Sequence, residues 1–163
     1  MEADIHLTWK RGFFSNTYHL FLNGRPVGQL TGKTFLQSSP AEINEKRYTF
    51  KTTGFFRQHT TITDNSVNQV IGEIDYKNIF SRASVAIGDQ KAEWRFANIF
   101  NSKWTISNSQ GGQISYSGSC NRGKIDSMIS NEPLLLSGLF IANYYWDITI
   151  AFAALFVVFI VIL

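Results

Sequence analysis

LLLSGLFIANYYWDITIAFAALFVVFIVIL, Leu134 to Leu163, is the stretch that decides how the rest of this 163-residue chain is read. It carries one formal charge, Asp147. An apolar run of this length either crosses a bilayer or is enclosed by the rest of the protein. Its two halves read differently. Pro133–Trp146 is apolar on all sides, with small residues at Ser137, Gly138 and Ala142. Pro133 suits a first helical turn and Asn131 a cap. As a helix this half is about 21 Å long, well short of the ~30 Å hydrocarbon core of a bilayer. It predicts a buried helix over 133–146. Residues 148–163 predict a second apolar helical segment beyond it.

Everything before this stretch is polar and patterned for strands. Turn signals recur at Asn23-Gly24, Asn44-Glu45, Asp64-Asn65-Ser66, Gly88-Asp89 and Ser109-Gln110-Gly111-Gly112, with a weaker sixth at Asn121-Arg122-Gly123. The interval is roughly 20–23 residues, the period of a repeated supersecondary unit. The flanks alternate with period two. Tyr48 and Phe50 share a face, as do Ala83, Val85 and Ile87. Ala92, Trp94 and Phe96 oppose Glu93 and Arg95, and Trp104, Ile106, Ile114 and Tyr116 fall on one side. Such alternation means half-buried antiparallel strands.

The links between hairpins repeat as well. They contain Gly12-Phe13-Phe14, Gly32-Lys33-Thr34-Phe35, Gly54-Phe55-Phe56-Arg57, Asn78-Ile79-Phe80 and Asn98-Ile99-Phe100. Each link brings a basic residue: Arg11, Lys33, Arg57, Arg82 or Lys103. Six hairpins give about twelve strands, and a sheet of that size curls and closes to remove its edges. About eight strands can be filled by side chains alone, so twelve leave a void that needs a filler. The helix 133–146 is read as that filler. The fold class is therefore mainly β: a closed antiparallel barrel of about twelve strands around an apolar C-terminal helix.

This plan resembles the tubby-like superfamily, in the branch that holds the LURP-one-related proteins and the phospholipid scramblases. The resemblance runs over residues 10–147. It is carried by the hairpin-and-link series from Tyr18 to Ser117 and by Gly138-Leu-Phe-Ile-Ala-Asn-Tyr-Tyr-Trp146. It implies a barrel with a central helix, and membrane-proximal or phosphoinositide-related roles. The sequence departs from the scramblases where their calcium-binding acids would fall. Asp64-Asn-Ser-Val-Asn-Gln-Val has one acid, with Asp75 beyond it, whereas a calcium loop needs several oxygen ligands. A Cys-rich acylation cluster and a Pro-rich arm are also missing. Calcium-driven scrambling is not expected.

Composition narrows the chemistry. Net charge is +3, a mild preference for anionic surfaces and too little for a nucleic-acid partner. The single cysteine, Cys120, leaves no internal disulfide and no Cys-based zinc cage. Arg122 and Lys124 beside it could lower a thiol pKa, but a catalytic thiol also needs a placed base. His6, His19 and His59 show no HxxxH spacing. Gly118-Ser-Cys-Asn-Arg-Gly-Lys124 lacks the Ser/Thr ending of a phosphate loop and reads as a hairpin turn. Glu73, Asp75 and Asp126 have no paired-carboxylate spacing. No catalytic residue, metal or cofactor is expected, and the N-terminus has no apolar run of signal-peptide length.

Lipid is the partner these residues suit. A 1–147 barrel domain precedes the tail 148–163, read as a membrane segment. Counted from Tyr144, the apolar helix spans about 30 Å. Tyr144, Tyr145 and Trp146 would then form an interfacial belt, with Phe152, Phe156 and Phe159 in the hydrocarbon. Arg11, Lys33, Arg57, Arg82 and Lys103 would contact anionic headgroups from one rim. The competing reading turns the link Phe residues inward and leaves the rim merely solvated. The function expected is a non-enzymatic, lipid-contacting barrel on the cytoplasmic side of a membrane. Its alternatives are scramblase-like or lipid-transfer activity, and a soluble regulatory or ligand-binding barrel with the tail packed internally.

Overall fold

The structure, a computed structural model, describes residues 5–32, 38–54, 58–78 and 82–162, with residues 78, 159, 161 and 162 described by their backbone alone. Among the described residues, twelve strands follow one another up and down. They are β1 (Ile5–Arg11), β2 (Thr17–Leu22), β3 (Arg25–Thr31), β4 (Ser38–Ile43), β5 (Lys46–Thr53) and β6 (His59–Asp64). After these come β7 (Gln69–Asn78), β8 (Arg82–Ile87), β9 (Gln90–Phe96), β10 (Lys103–Asn108), β11 (Gln113–Gly118) and β12 (Arg122–Ser127). Each strand pairs antiparallel with its chain neighbours, and β1 pairs with β12 to close the barrel. Bulges at Leu20/Phe21, Ile62/Thr63 and Tyr76/Asn78 add local twist. The alternating residues Tyr48, Phe50, Ala83, Val85, Ala92, Trp94, Trp104, Ile106, Ile114 and Tyr116 all point into the core.

The two ends of the barrel differ in chemistry. One is closed by the turns at 23–24, 44–45, 65–68, 88–89 and 109–112. Asn23 and Gly24 have φ of 51° and 78°, and Asn44 and Glu45 have 50° and 67°, the left-handed pairs of two-residue hairpins. Asp64 serves its turn: its Oδ1 accepts the Ser66 amide (2.8 Å) and hydroxyl (2.6 Å), which holds the carboxyl below its usual range. The sixth sequence signal belongs elsewhere. Arg122 and Gly123 are already in β12, and the connection 119–121 lies at the opposite end, where the Arg11 amide donates to the Asn121 carbonyl (2.7 Å). That end carries the links, since every odd-numbered strand runs toward it.

The C-terminal stretch forms one helix, α1 (Glu132–Ile162), rather than the two segments expected. Its 31 residues span about 46 Å. No Gly or Pro follows Gly138 to interrupt it, and Asp147 is bridged within the helix. Asn143 Nδ2 donates to Asp147 Oδ2 (3.1 Å), and the Thr149 hydroxyl donates to the Tyr145 carbonyl (2.8 Å). The helix starts at the turn end. Asn131 Oδ1 caps the Leu134 amide (3.0 Å), and Glu132 accepts from Lys46 (2.7 Å) and Asn44 (3.0 Å) at the β4–β5 turn.

From Leu134 to Tyr145 every residue of α1 is buried. Strands on all sides hold this half. Phe50 of β5 stacks on Phe140 (4.8 Å), and Tyr76 of β7 stacks on Tyr144 (4.0 Å). Trp94 of β9 and Trp104 of β10 both donate their indole N–H to the Gly138 carbonyl (3.1 and 3.0 Å). Tyr116 of β11 donates to the Leu135 carbonyl (3.0 Å), and a Cβ on Gly138 would run into the Tyr116 ring. The helix thus supplies the apolar bulk that side chains from twelve strands cannot.

Candidate functional site

The link end of the barrel, where α1 emerges, gathers the features that bear on function. A polar cluster sits at its mouth. Arg11, the last residue of β1, turns inward and is half-buried. Its Nη1 donates to the Tyr18 hydroxyl (2.9 Å) and to Asn143 Oδ1 (3.1 Å), and Tyr18 donates to the same oxygen (2.8 Å). Asn143 passes the chain on to Asp147. Burial pushes the Tyr18 phenol above its ordinary value although the Arg11 guanidinium beside it opposes the shift, so the hydroxyl stays a donor. Arg11, expected to face lipid headgroups, is thus occupied in latching the helix to the mouth.

The other basic candidates fall out differently. Arg82 opens β8 and Lys103 opens β10, both exposed on the outer wall beneath the links. Lys33 and Arg57 lie outside the described residues. A residue that the sequence reading set apart from the basic rim, on an opposite-facing strand surface, joins the pair. Arg95 of β9 stands directly opposite Arg82 in the ladder. Neither Arg82 nor Arg95 is ion-paired to a carboxylate among the described residues. Glu93, one step along on the same face, is held by Lys77 (2.7 Å). The two arginines border a groove of about 510 Å³ whose other lining includes Thr105, Ser107 and Gln113. Like charges facing across a ladder repel, and an anion between them would relieve the repulsion. Period two in the sequence placed Arg95 on the outer face; only the β8–β9 register reveals its partner.

The aromatic belt expected at Tyr144, Tyr145 and Trp146 is not where the helix leaves the barrel. Tyr144 and Tyr145 are buried inside, Tyr145 stacked on Trp94 (5.1 Å) with its hydroxyl donating to the Arg82 carbonyl (2.7 Å). They seal the mouth as the last turn of the buried helix that the sequence predicts over 133–146. Trp146 is half-buried, edge-on to Trp104 (5.2 Å), and donates to the Asn101 carbonyl (3.3 Å). Ile148 is the last buried residue among those whose side chains are described. From Thr149 onward every described side chain is exposed, Phe152 and Phe156 among them. The side chain of Phe159 lies outside the described residues. By length and composition Glu132–Val158 could cross a bilayer, a test that a buried core helix also meets. Here the first half is core, and the part of α1 beyond Ile148 is about 21 Å long.

The two described link tips also face outward rather than inward. Phe13 and Phe14 are 80% and 98% exposed, and Ile99 and Phe100 are 90% and 81% exposed. Two histidines of the strands answer cross-strand carboxylates, His6 to Asp126 (2.6 Å) and His59 to Asp75 (2.7 Å). Cys120 sits half-buried in the 119–121 link, with its Sγ toward Asn121 Oδ1 (3.7 Å). No protein-family model, curated protein or solved structure matches this chain. The architecture itself, a closed twelve-stranded antiparallel barrel with a C-terminal helix packed against it, is consistent with a tubby-like fold.

Proposed function

We propose that this protein is a non-enzymatic, membrane-associated barrel that contacts lipid at the cytoplasmic face, allied to the LURP-one-related and scramblase branch of tubby-like proteins. The observation that carries the reading is the second half of α1. A helix whose side chains are apolar and exposed all round, continuous with one anchored in the core, has no soluble environment that suits it. Inserted in a leaflet, the same surface is favourable. Asp147 then sits near the headgroups, and Phe152 and Phe156 reach the hydrocarbon. Arg82, Arg95 and Lys103 on the outer wall lie within reach of anionic headgroups, as Lys33 and Arg57 do on the sequence reading.

The test is extraction. The full chain should stay with membranes through alkaline carbonate, and a chain ending at Asp147 should be released. Release of the full chain would refute the membrane reading. In reconstituted vesicles the protein should move no labelled lipid between leaflets beyond the rate in empty vesicles. Rapid flux would replace lipid contact with lipid movement as its role.

A further inference from the structure

We infer that the two described link tips, Phe13-Phe14 and Ile99-Phe100, are membrane wedges that insert beside α1 and hold the barrel upright, end-on, on the leaflet. This rests on the membrane reading above and adds a second, independent set of contacts to it.

The first support is the asymmetry of the two ends. At the far end the exposed large apolar side chains are Leu22, Val67, Val70 and Met128, 38% to 65% exposed and with no aromatic among them. At the helix-exit end, the two described Phe-bearing links place large apolar side chains at their tips, 80% to 98% exposed. The barrel interior is already filled by α1, so these side chains have nowhere inward to go.

The second support is that the tips are held out by short-range bonding. Asn98 braces its loop: its Oδ1 accepts the Ser102 and Lys103 amides (3.0 and 3.1 Å), and its Nδ2 donates to the Ser102 hydroxyl (2.8 Å). Asn101 takes a left-handed φ of 53°, and its carbonyl accepts from Trp146 on the emerging helix. Ile99 and Phe100 are therefore displayed on a turn tied directly to the membrane segment. In the other link the Ser15 amide bonds the Gly12 carbonyl (3.0 Å) and the Ser15 hydroxyl accepts from Thr17 (3.0 Å). Phe13 and Phe14 crown that turn with their rings edge to face (5.3 Å). Ordering a side chain on insertion costs less entropy when the loop is already fixed.

The third support is position. The order β2-β1-β12-β11-β10-β9 places the two links four strand steps of twelve apart, a third of the way round the barrel. With α1 between them they make three points of contact, and three points fix a plane. Lys103 is three residues from Phe100 and Arg95 four from Ile99, and Arg82 faces Arg95 across the ladder. With the tips at the acyl boundary, these three cations on the outer wall face the headgroup region of the leaflet. An anionic leaflet is thus complementary to this end in both apolarity and charge.

The experiment uses the full chain with Cys120→Ser, carrying one environment-sensitive fluorophore on Phe14→Cys, Phe100→Cys, Phe156→Cys or Gln110→Cys. Vesicles are phosphatidylcholine with phosphatidylserine, with or without a nitroxide placed shallowly on the acyl chain. The tips at 14 and 100 should shift to the blue and be quenched by the nitroxide lipid. The probe at 156 should be quenched too, and that at 110, in a far-end turn, should not respond. Quenching at 156 with silence at 14 and 100 would overturn the wedges and leave the tail reading standing. Silence at all positions would overturn both. A blue shift at 14 and 100 that the nitroxide lipid does not quench would mean that a protein surface covers the tips, and it too would overturn the proposal. Because 14 and 100 are exposed, their substitution spares the core. Parallel labelling at Phe13→Cys and Ile99→Cys must give the same outcome for the proposal to stand.

Discussion

Gly138 is the residue on which the interior turns. It lets α1 approach Tyr116 and offers its carbonyl to two tryptophans at once. Gly138→Ala should therefore overpack the barrel centre and cost about 1–3 kcal/mol, read as a lower midpoint in denaturant with an unchanged slope. A neutral result would mean that the helix can shift within the barrel. Asn143 plays the matching part at the mouth. Asn143→Leu strips a shared acceptor from Arg11 and Tyr18 and should cost on the order of 1–3 kcal/mol. Adding Tyr18→Phe to it should cost little more, since the phenol will already have lost its acceptor. Additive losses in that double-mutant cycle would show that the two side chains are not coupled. These roles were only partly legible. Small residues at 137, 138 and 142 signalled close packing, but nothing local to Arg11 showed that it would bond 132 residues away.

At the scale of elements, α1 has two jobs along one axis. Residues 134–145 are buried in the barrel, and the described side chains from 149 on are exposed. A chain ending at Asp147 should fold, with a cooperative melt and the near-ultraviolet signal of its buried tryptophans. A chain ending at Asn131 should not fold, because twelve strands without the helix enclose an empty apolar interior. A soluble, cooperatively melting 1–131 fragment would refute the plugged barrel. The strands themselves were readable, because alternation and turn chemistry are local properties. The continuity of α1 was not. Asp147 looked like a break in an apolar run, yet a carboxylate bonded four residues back within the helix does not interrupt it.

For the whole molecule, the decisive property is the difference between the two ends. Charge neutralisation at the helix-exit end, Arg82→Gln with Arg95→Gln, should weaken binding to phosphatidylserine vesicles by roughly thirty-fold at low salt. That follows from about 1 kcal/mol for each basic residue near an anionic leaflet. The deficit should shrink as salt screens the attraction. Arg25→Gln with Lys91→Gln, at the far end, should leave binding unchanged. Equal effects at both ends, measured by vesicle co-sedimentation, would show that only net charge matters. On the membrane reading the tail would hold each of these variants to the vesicle, so the comparison is best made on a chain ending at Asp147 once that chain is shown to fold.

Sequence alone determined the strand count, the turns, the inward faces and the need for a central helix, because period and turn residues report on the nearest few bonds. It also assembled the Phe-and-basic links as a repeat. The tertiary structure decided where those parts point. Barrel depth placed Tyr144 and Tyr145 inside rather than at an interface, and ladder register set Arg82 against Arg95. The filled interior turned Phe13, Phe14, Ile99 and Phe100 outward, while the mouth drew Arg11 in. Each of these outcomes depends on groups distant in the chain competing for the same space, and no local pattern encodes that competition.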